Sequence, residues 1–330
     1  MALPSSGPIS LNDVNVELGL AGSTNINMNQ SSVRVLFKKT ADQSIISMSD
    51  GYGQARMPSS IEVLVVAGGG GAGSGGGGGG GVLPWFSITP TAALNYSITV
   101  GAAGPSVGTS NTGNGGDSQF TSSYVAIGGG GGGYGGATCS YTGRNGGSGG
   151  GSQNPCRGSS GSPGFGYTNT TVGQPTYNIV QGNRGGYGRD YGNFPYLSGG
   201  GGGQSGRGAD GSSNETSGGA GYTIDAETRT VPPFNTVIAA YNTVTTTVAS
   251  GGGLTGHTSN GGIGAGGASY GTNATMFGCG GYNYGVGRSG VVVIRYTGNN
   301  IGTGGNNITY VSSSDKTYHV FTSAGTFRFP

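Results

Sequence analysis

Two patterns of apolar positions divide the chain. Over the first part they recur at helical spacing: Leu11, Val14 and Leu18 fall on one face, Ser10 and Asp13 stand as a capping box before them, and Gly19 sits where the helix stops. A second short helix is expected within INMNQSSVRVLF, with Asn29 or Ser31 as its cap and Val33, Leu36 and Phe37 as its apolar side. SIISMSDGYG closes this module at residue 56. So small a helical segment makes a marginal core, and is expected to pack on a neighbour. From Met57 the pattern changes to runs of Val, Ile, Thr and aromatics. IEVLVVA (61–67), VLPWFSI (82–88), NYSITVG (95–101), SQFTSSYVAIG (118–128), TVIAAYNTVTTTVA (236–249) and SGVVVIRYTG (289–298) each read as a strand. KTYHVFTSAGTFRFP (316–330) splits into two alternating runs around Ser323, Ala324 and Gly325, which predicts a hairpin. Three units follow: a helical module over 1–56, a glycine-rich β domain over 57–298, and a terminal hairpin unit over 299–330.

Between the strands lie tracts made almost wholly of glycine: 68–81, 128–136, 143–151, 198–208, 218–221, 251–253, 261–267 and 278–287. The chain holds 79 glycines, and each ordered glycine costs about 0.5–1 kcal/mol more than alanine in a regular element. Disorder would spare that cost, but disordered chains lack the strand-like runs, the 18 Tyr and the 10 Phe seen here. Two ordered readings stand. Tracts with three residues per turn, like polyproline II, leave their backbone groups pointing outward, so that bare glycine helices can bond to one another in place of a side-chain core. Alternatively they are long surface loops ordered by their Tyr and Asn side chains. Either way the fold is mainly β, a glycine-rich β-sandwich with long polyglycine segments preceded by a small helical module.

Charge narrows the partners. Net charge is +2 with 8% charged residues, so no basic stripe is available for phosphates and no nucleic-acid partner is expected. No apolar run approaches the roughly 18–20 residues of a membrane span, and MALPSSGPIS lacks the regions of a signal peptide, so a soluble protein made in the cytoplasm is expected. The three cysteines are too few for a disulfide scaffold. Either Cys139 pairs with Cys156 across one loop, or all three, Cys279 included, are reduced thiols.

Catalytic chemistry is sparse. Of the two histidines, His319 alternates with Tyr318 and Val320 as a strand residue, and His257 lies in a glycine-flanked loop. A zinc site needs three or four converging ligands, and no such spacing exists. GGSGG at 146–150 formally fits G-x-S-x-G, but without the strand and helix a nucleophile elbow requires. No GK[ST] follows a glycine loop. A carboxylate pair for glycoside cleavage would have to come from scattered Asp117, Asp190, Asp210, Asp225 and Glu227. The expectation is a protein without enzymatic activity, metal or cofactor. What remains is a set of aromatics in or beside the tracts: Tyr134, Tyr141, Phe165, Tyr167, Tyr187, Tyr191, Phe194, Tyr196, Tyr270, Tyr282 and Tyr284, with Arg144, Arg157, Arg184 and Arg189 nearby. Aromatics on glycine-flanked segments resemble a paratope, a rigid flat surface with adaptable hydrogen bonding. The alternative is that the rings pack down as plugs beneath the glycine layer.

MALPSSGPISLNDVNVELG through SIISMSDGYG resembles the opening of many tail-associated virion proteins of bacteriophages. IEVLVVAGGGGAG, SITVGAAG, GNGGDSQF, YVAIGGGGGG and SGVVVIRYTG resemble, in order, the glycine-rich domain that often follows it. The likeness covers roughly residues 1–136 and 278–330. In that family a segment like TYHVFTSAGTF usually precedes the strand resembling IEVLVVAG, whereas here it comes last. Chain termini commonly lie close together, which makes such permutation easy. The hairpin is therefore expected to close the sandwich beside residues 61–67, or else residues 299–330 pair with another subunit.

The resemblance implies a structural virion protein located at the tail of the particle, of the fibre, spike or adhesin kind. Its N-terminal module, through Leu11, Val14, Leu18, Val33, Leu36 and Phe37, would dock on other tail or baseplate proteins. Tyr141, Phe165, Tyr167, Tyr187, Tyr191, Phe194, Tyr196, Tyr282 and Tyr284 would contact a host surface glycan or outer-membrane protein. A homo-oligomer, a trimer above all, belongs to the same implication. The alternative is a purely architectural collar, baseplate, head-fibre or decoration component.

Overall fold

The computed structural model describes residues 3–39, 45–52, 57–106, 112–134, 142–153, 180–189, 198–211, 216–240, 247–253, 276–282 and 284–329. Among these residues there are eleven strands: β1 (Ile61–Val66), β2 (Val82–Ile88), β3 (Asn95–Thr99), β4 (Ser118–Phe120), β5 (Tyr124–Ala126), β6 (Tyr222–Thr223), β7 (Thr247–Val248), β8 (Val291–Thr297), β9 (Asn307–Val311), β10 (Lys316–Phe321) and β11 (Gly325–Arg328). They form a five-stranded sheet ordered β2-β1-β8-β10-β9, a four-stranded sheet ordered β11-β3-β4-β5, and the β6–β7 pair. Every pairing is antiparallel.

The five-stranded sheet is covered on both faces, which is why its central strands read as unbroken apolar runs. Ile61, Val63, Val65, Val292, Ile294 and Phe321 pack against Tyr96, Ile98, Phe120 and Phe327 of the second sheet. On the opposite face Leu64, Val66, Val291, Val293 and Val320 pack against Ile224, Val231, Phe234, Val248 and Phe277. His319 is fully buried between the sheets, among Tyr296 and Phe327. Its Nδ1 lies 2.6 Å from the Gly304 carbonyl and its Nε2 3.0 Å from the Tyr296 hydroxyl. The neutral ring satisfies both, donating from Nδ1 and accepting at Nε2. Burial lowers its pKa from 6.5, outweighing the opposing bond to Gly304.

Several expectations need correction. TVIAAYNTVTTTVA is not one strand: helix α3 occupies Phe234–Ala240, and β7 is all of the strand that remains among the described residues. Pro232 and Pro233 suit a helix start, where a missing N–H costs nothing, and Phe234, Val237 and Ile238 are spaced to place one apolar face on the core. SQFTSSYVAIG is broken by a turn at Thr121, with φ of 55°, into β4 and β5. The C-terminal runs are not a hairpin. β10 pairs with β8 and β9 while β11 crosses to β3 in the other sheet. β8 therefore lies between β10 and residues 61–66.

Among the helices, α1 (Leu11–Glu17) has the expected Ser10–Asp13 capping box. Leu11, however, is 47% exposed while Val14 and Leu18 are buried. Side chains lean toward the helix N-terminus, so one in the first turn projects beyond the packed stretch. Helix α2 (Ser31–Leu36) starts at Gln30 without a side-chain cap, and the Asn29 amide oxygen instead accepts from Arg34 Nη1. Val14, Leu18, Val33, Leu36 and Phe37 form a core of their own with Leu3 and Ile9.

Among the described residues most glycines of the tracts are interior, and residues 67–83 are buried without a break. In the tract 75–81 the backbone donors step by three. Gly75, Gly78 and Gly81 donate to Gly133, Gly130 and Ile127; Gly76 and Gly79 to Gly199 and Gly202; Gly77 and Gly80 to Gly281 and Gly278, all at 2.7–3.1 Å. Its carbonyls accept from three further tracts, through Gly70 and Gly73, Ser148 and Gly151, and Gly252. One glycine tract thus bonds six neighbours, with a three-residue repeat. No side chain fits between them: a Cβ on Gly201 would collide with the Gly77 carbonyl, and one on Gly130 with that of Arg144. The surface-loop reading fails on this burial. The tract 261–267 lies outside the described residues.

Two predictions follow from these interiors. Because folded His319 binds its proton less readily than the unfolded chain, stability is complete above pH 6.5 and falls as pH drops below it. Thermal melts between roughly pH 7.5 and pH 5, above the range in which carboxylates titrate, are expected to show a larger fall for the native chain than for His319→Gln. Gly201→Ala is expected to cost about 1–3 kcal/mol in denaturant unfolding through the backbone collision. At Gly206 an added Cβ meets its nearest neighbour at 3.1 Å, and Gly206→Ala should be far milder.

Candidate recognition surface

The tract 67–73 leaves β1 and the tract 75–81 returns to β2, so the turn at 73–75 marks the end of the glycine array away from the sheets. Gly133 bonds Gly75, Gly151 bonds Gly133 and Gly199 bonds Gly76, which places these residues at the same end. Ser106, Tyr134, Gln153, Arg189 and Gly211 are each the last described residue before a stretch outside the description, and all five stand at or next to this end. Tyr141, Phe165, Tyr167, Tyr191, Phe194 and Tyr196 belong to the stretches that follow, as do Arg157, Cys139 and Cys156, while Tyr270 belongs to the separate stretch 254–275. These residues, and with them the proposed Cys139–Cys156 bridge, lie outside the described residues.

Of the remaining candidates, Tyr284 stands at the far end and Tyr187 beside it. Tyr284 has φ of 65°, a conformation that costs a bulky residue roughly 1–3 kcal/mol and persists only where its surroundings enforce it. They do. Its hydroxyl is 2.6 Å from Ser74 Oγ, its N–H donates to Gly73, its carbonyl accepts from Ser106 Oγ, and its ring meets Tyr134 edge-on at 6.0 Å. Tyr187 is 36% exposed, with the Arg184 guanidinium 4.8 Å over its ring. Asp210 accepts from the Tyr187 N–H and pairs with Arg189 at 3.1 Å. Tyr282 is buried, and burial raises its hydroxyl pKa. It is the plug that the alternative reading expected, while Tyr187 offers a surface. The serines were missed in the sequence. Ser74 is the single hydroxyl in a fourteen-residue glycine tract, and that singularity was the signal.

A second polar cluster, also missed, lies on the outer face of the five-stranded sheet. Arg295 on β8 donates from Nε to Glu62 at 2.8 Å and from Nη1 to Asp225 at 3.0 Å, with its guanidinium 3.9 Å over the Trp85 ring. The Trp85 indole donates to the same Asp225 oxygen. Burial raises the Asp225 pKa, but the Thr228 backbone N–H and side chain, Arg295 and Trp85 outweigh it and hold the carboxyl below its usual range. One guanidinium therefore ties two strands to the segment 222–240 that covers this face. Glu227 reaches Ser314 and Lys316. Asp117 accepts from the Gly128 N–H, and Asp190 lies outside the described residues. Cys279 is buried, with Ser250 Oγ 3.1 Å from its sulfur, and burial raises its pKa. Among the described residues no three His, Cys, Asp or Glu side chains are placed to hold a metal ion, and no helix is long and apolar enough to cross a membrane.

A glycine-built array carried on antiparallel sheets defines the class of this protein. A family model described as a glycine-rich domain matches residues 51–315, and the chain belongs to that family. No curated protein and no solved structure matches the chain.

Arg295→Ala is expected to cost about 2 kcal/mol, less than a fully buried pair because both carboxylates keep contact with water. Limited proteolysis should then cut within residues 222–240 before any other described segment.

Proposed function

We propose that this chain is a non-enzymatic, tail-associated structural protein of a bacteriophage particle, held by its N-terminal module and contacting the host surface with the far end of its glycine array. The observation that carries the contact half is the common placement of Ser106, Tyr134, Gln153, Arg189 and Gly211. Five stretches begin there, of which 190–197 holds Tyr191, Phe194 and Tyr196 and 154–179 holds Phe165, Tyr167 and Tyr177, and Tyr187 and Tyr284 are already fixed close by. The docking half rests on the resemblance of the N-terminal segment and on the module's separate core. With Val14, Leu18, Val33, Leu36 and Phe37 turned inward, docking falls to the exposed Leu11, Val16 and Val35. Val35 is 66% exposed beside a groove of about 400 Å³ lined by Leu20, Leu36, Met57 and Ala92. The three-residue bonding repeat supports the finer reading of the tracts as polyglycine-II-like helices. Such an array sets its end through backbone bonds and carries few side chains in its interior, the Cys279 thiol among them.

The test pairs two assays on the full-length protein: binding to cells of the infected bacterium, and restoration to particles lacking the protein. Replacing Tyr187 and Tyr284 together by Ala is expected to weaken cell binding at least tenfold, about 1.4 kcal/mol, with incorporation unchanged. Val35→Asp is expected to do the reverse. If the full-length chain restores particles but binds no cells, the contact half is wrong and the purely architectural component stands.

A further inference from the structure

Exposed sheet edges invite another strand unless something blunts them. Three of the four edges of the two large sheets are blunted. β2 carries Pro84 and a register shift opposite Val63 and Val65. β5 is three residues long, and the Gln181 side chain bonds the Val125 carbonyl and the Ile127 N–H. β11 is bridged by Thr303, which exchanges both backbone bonds with Arg328. β9 has none of these devices. It is five residues long, without proline or charge, bonded to β10 on one side, and no backbone bond reaches its other side among the described residues. Ile308 and Tyr310 stand on one face of it, each 43% exposed.

We propose that β9 pairs antiparallel with β9 of a second copy of this chain, about a two-fold axis through Thr309. The strand is complementary to itself in that register. Ile308 falls opposite Tyr310 of the second copy and Tyr310 opposite Ile308, a β-branched and aromatic pairing made twice on one face. Thr309 meets Thr309, and Asn307 meets Val311, on the other. No charged residue occurs from 299 to 314, so no like charges face each other across the axis. A contact of this kind uses the same patch on both subunits and closes at two. One strand pair buries less than the roughly 800 Å² per partner of a standard interface, which places the free dimer in the micromolar range. The contact is independent of any receptor or particle partner.

Sedimentation of the full-length chain across micromolar concentrations is expected to move from 32.2 kDa to twice that mass. The double variant Ile308→Lys, Tyr310→Lys should stay at one chain with an unchanged circular dichroism spectrum. Under mild oxidation Thr309→Cys is expected to yield a covalent dimer above the level of the parent chain, which retains its own three cysteines. Ile308→Cys should not, because equivalent residues two positions off the register lie beyond the roughly 7 Å a disulfide spans. A single-chain mass throughout, a larger assembly that the lysine variant leaves intact, or no cross-link at Thr309 would each overturn the proposal.

Discussion

A buried peptide group must find a partner, and in this protein that rule governs the interior more than side-chain packing does. A glycine tract stripped of Cβ atoms exposes an N–H and a carbonyl at every residue and has nothing else to offer. With a three-residue repeat those groups point successively to different sides, and only a neighbour on each side can satisfy them. The tract 75–81 meets that demand with six. Each net backbone bond contributes about 0.5–1.5 kcal/mol, and ordering a glycine costs about 0.5–1 kcal/mol more than ordering an alanine, so the array holds only if nearly every group is paired. The collision awaiting a Cβ at Gly201 or Gly130 is the same requirement seen from the side of sterics.

Such an array needs a platform to set its register, and the sheets supply it. β1 runs directly into tract 67–73, tract 75–81 runs directly into β2, and β8 receives the tract that ends at Gly290. These three strands are adjacent in one sheet. Ladder bonds that fix Val66 against Val82 and Val291 therefore also fix where the three tracts begin. Arg295 works at the opposite end of the same strands, clamping the covering segment 222–240 to the outer face. The platform is ordinary in its chemistry and the array is not, yet neither is defined without the other.

The strands β1 and β8 were legible because burial on both faces leaves unbroken runs of Val and Ile, and β3 because buried Tyr96 and Ile98 alternate with exposed residues. The Ser10–Asp13 cap was equally plain, since it is local. Failures came where a nearby signal competed with composition. Val237 and Ile238 suggested a strand, but Pro232 and Pro233 with the spacing of Phe234 set a helix. At 316–330 the turn residues were seen, yet whether two strands pair with each other or part into two sheets is decided by distant partners, β8 and β3. The buried polar groups were invisible for the same reason. Nothing near Arg295 in sequence foretells that Glu62 and Asp225 meet it, and Ser74 gains meaning only when Tyr284 arrives from 210 residues away.

An array bonded through its backbone separates two tasks that a side-chain core combines. In a conventional core, a residue that alters a loop often also alters the packing beneath it. Here the layer beneath the far end contains almost no side chains, so a departing stretch can change sequence without disturbing an interior that does not read side chains. The exceptions mark where the separation stops: Tyr282 is packed in, and Tyr284 is held in a strained backbone by Ser74 and Ser106. Rings of that kind are bound to the array and vary with it, whereas Tyr187, lying on the surface under Arg184, is free to change. A surface that must keep its frame while its contacts diversify gains from having both.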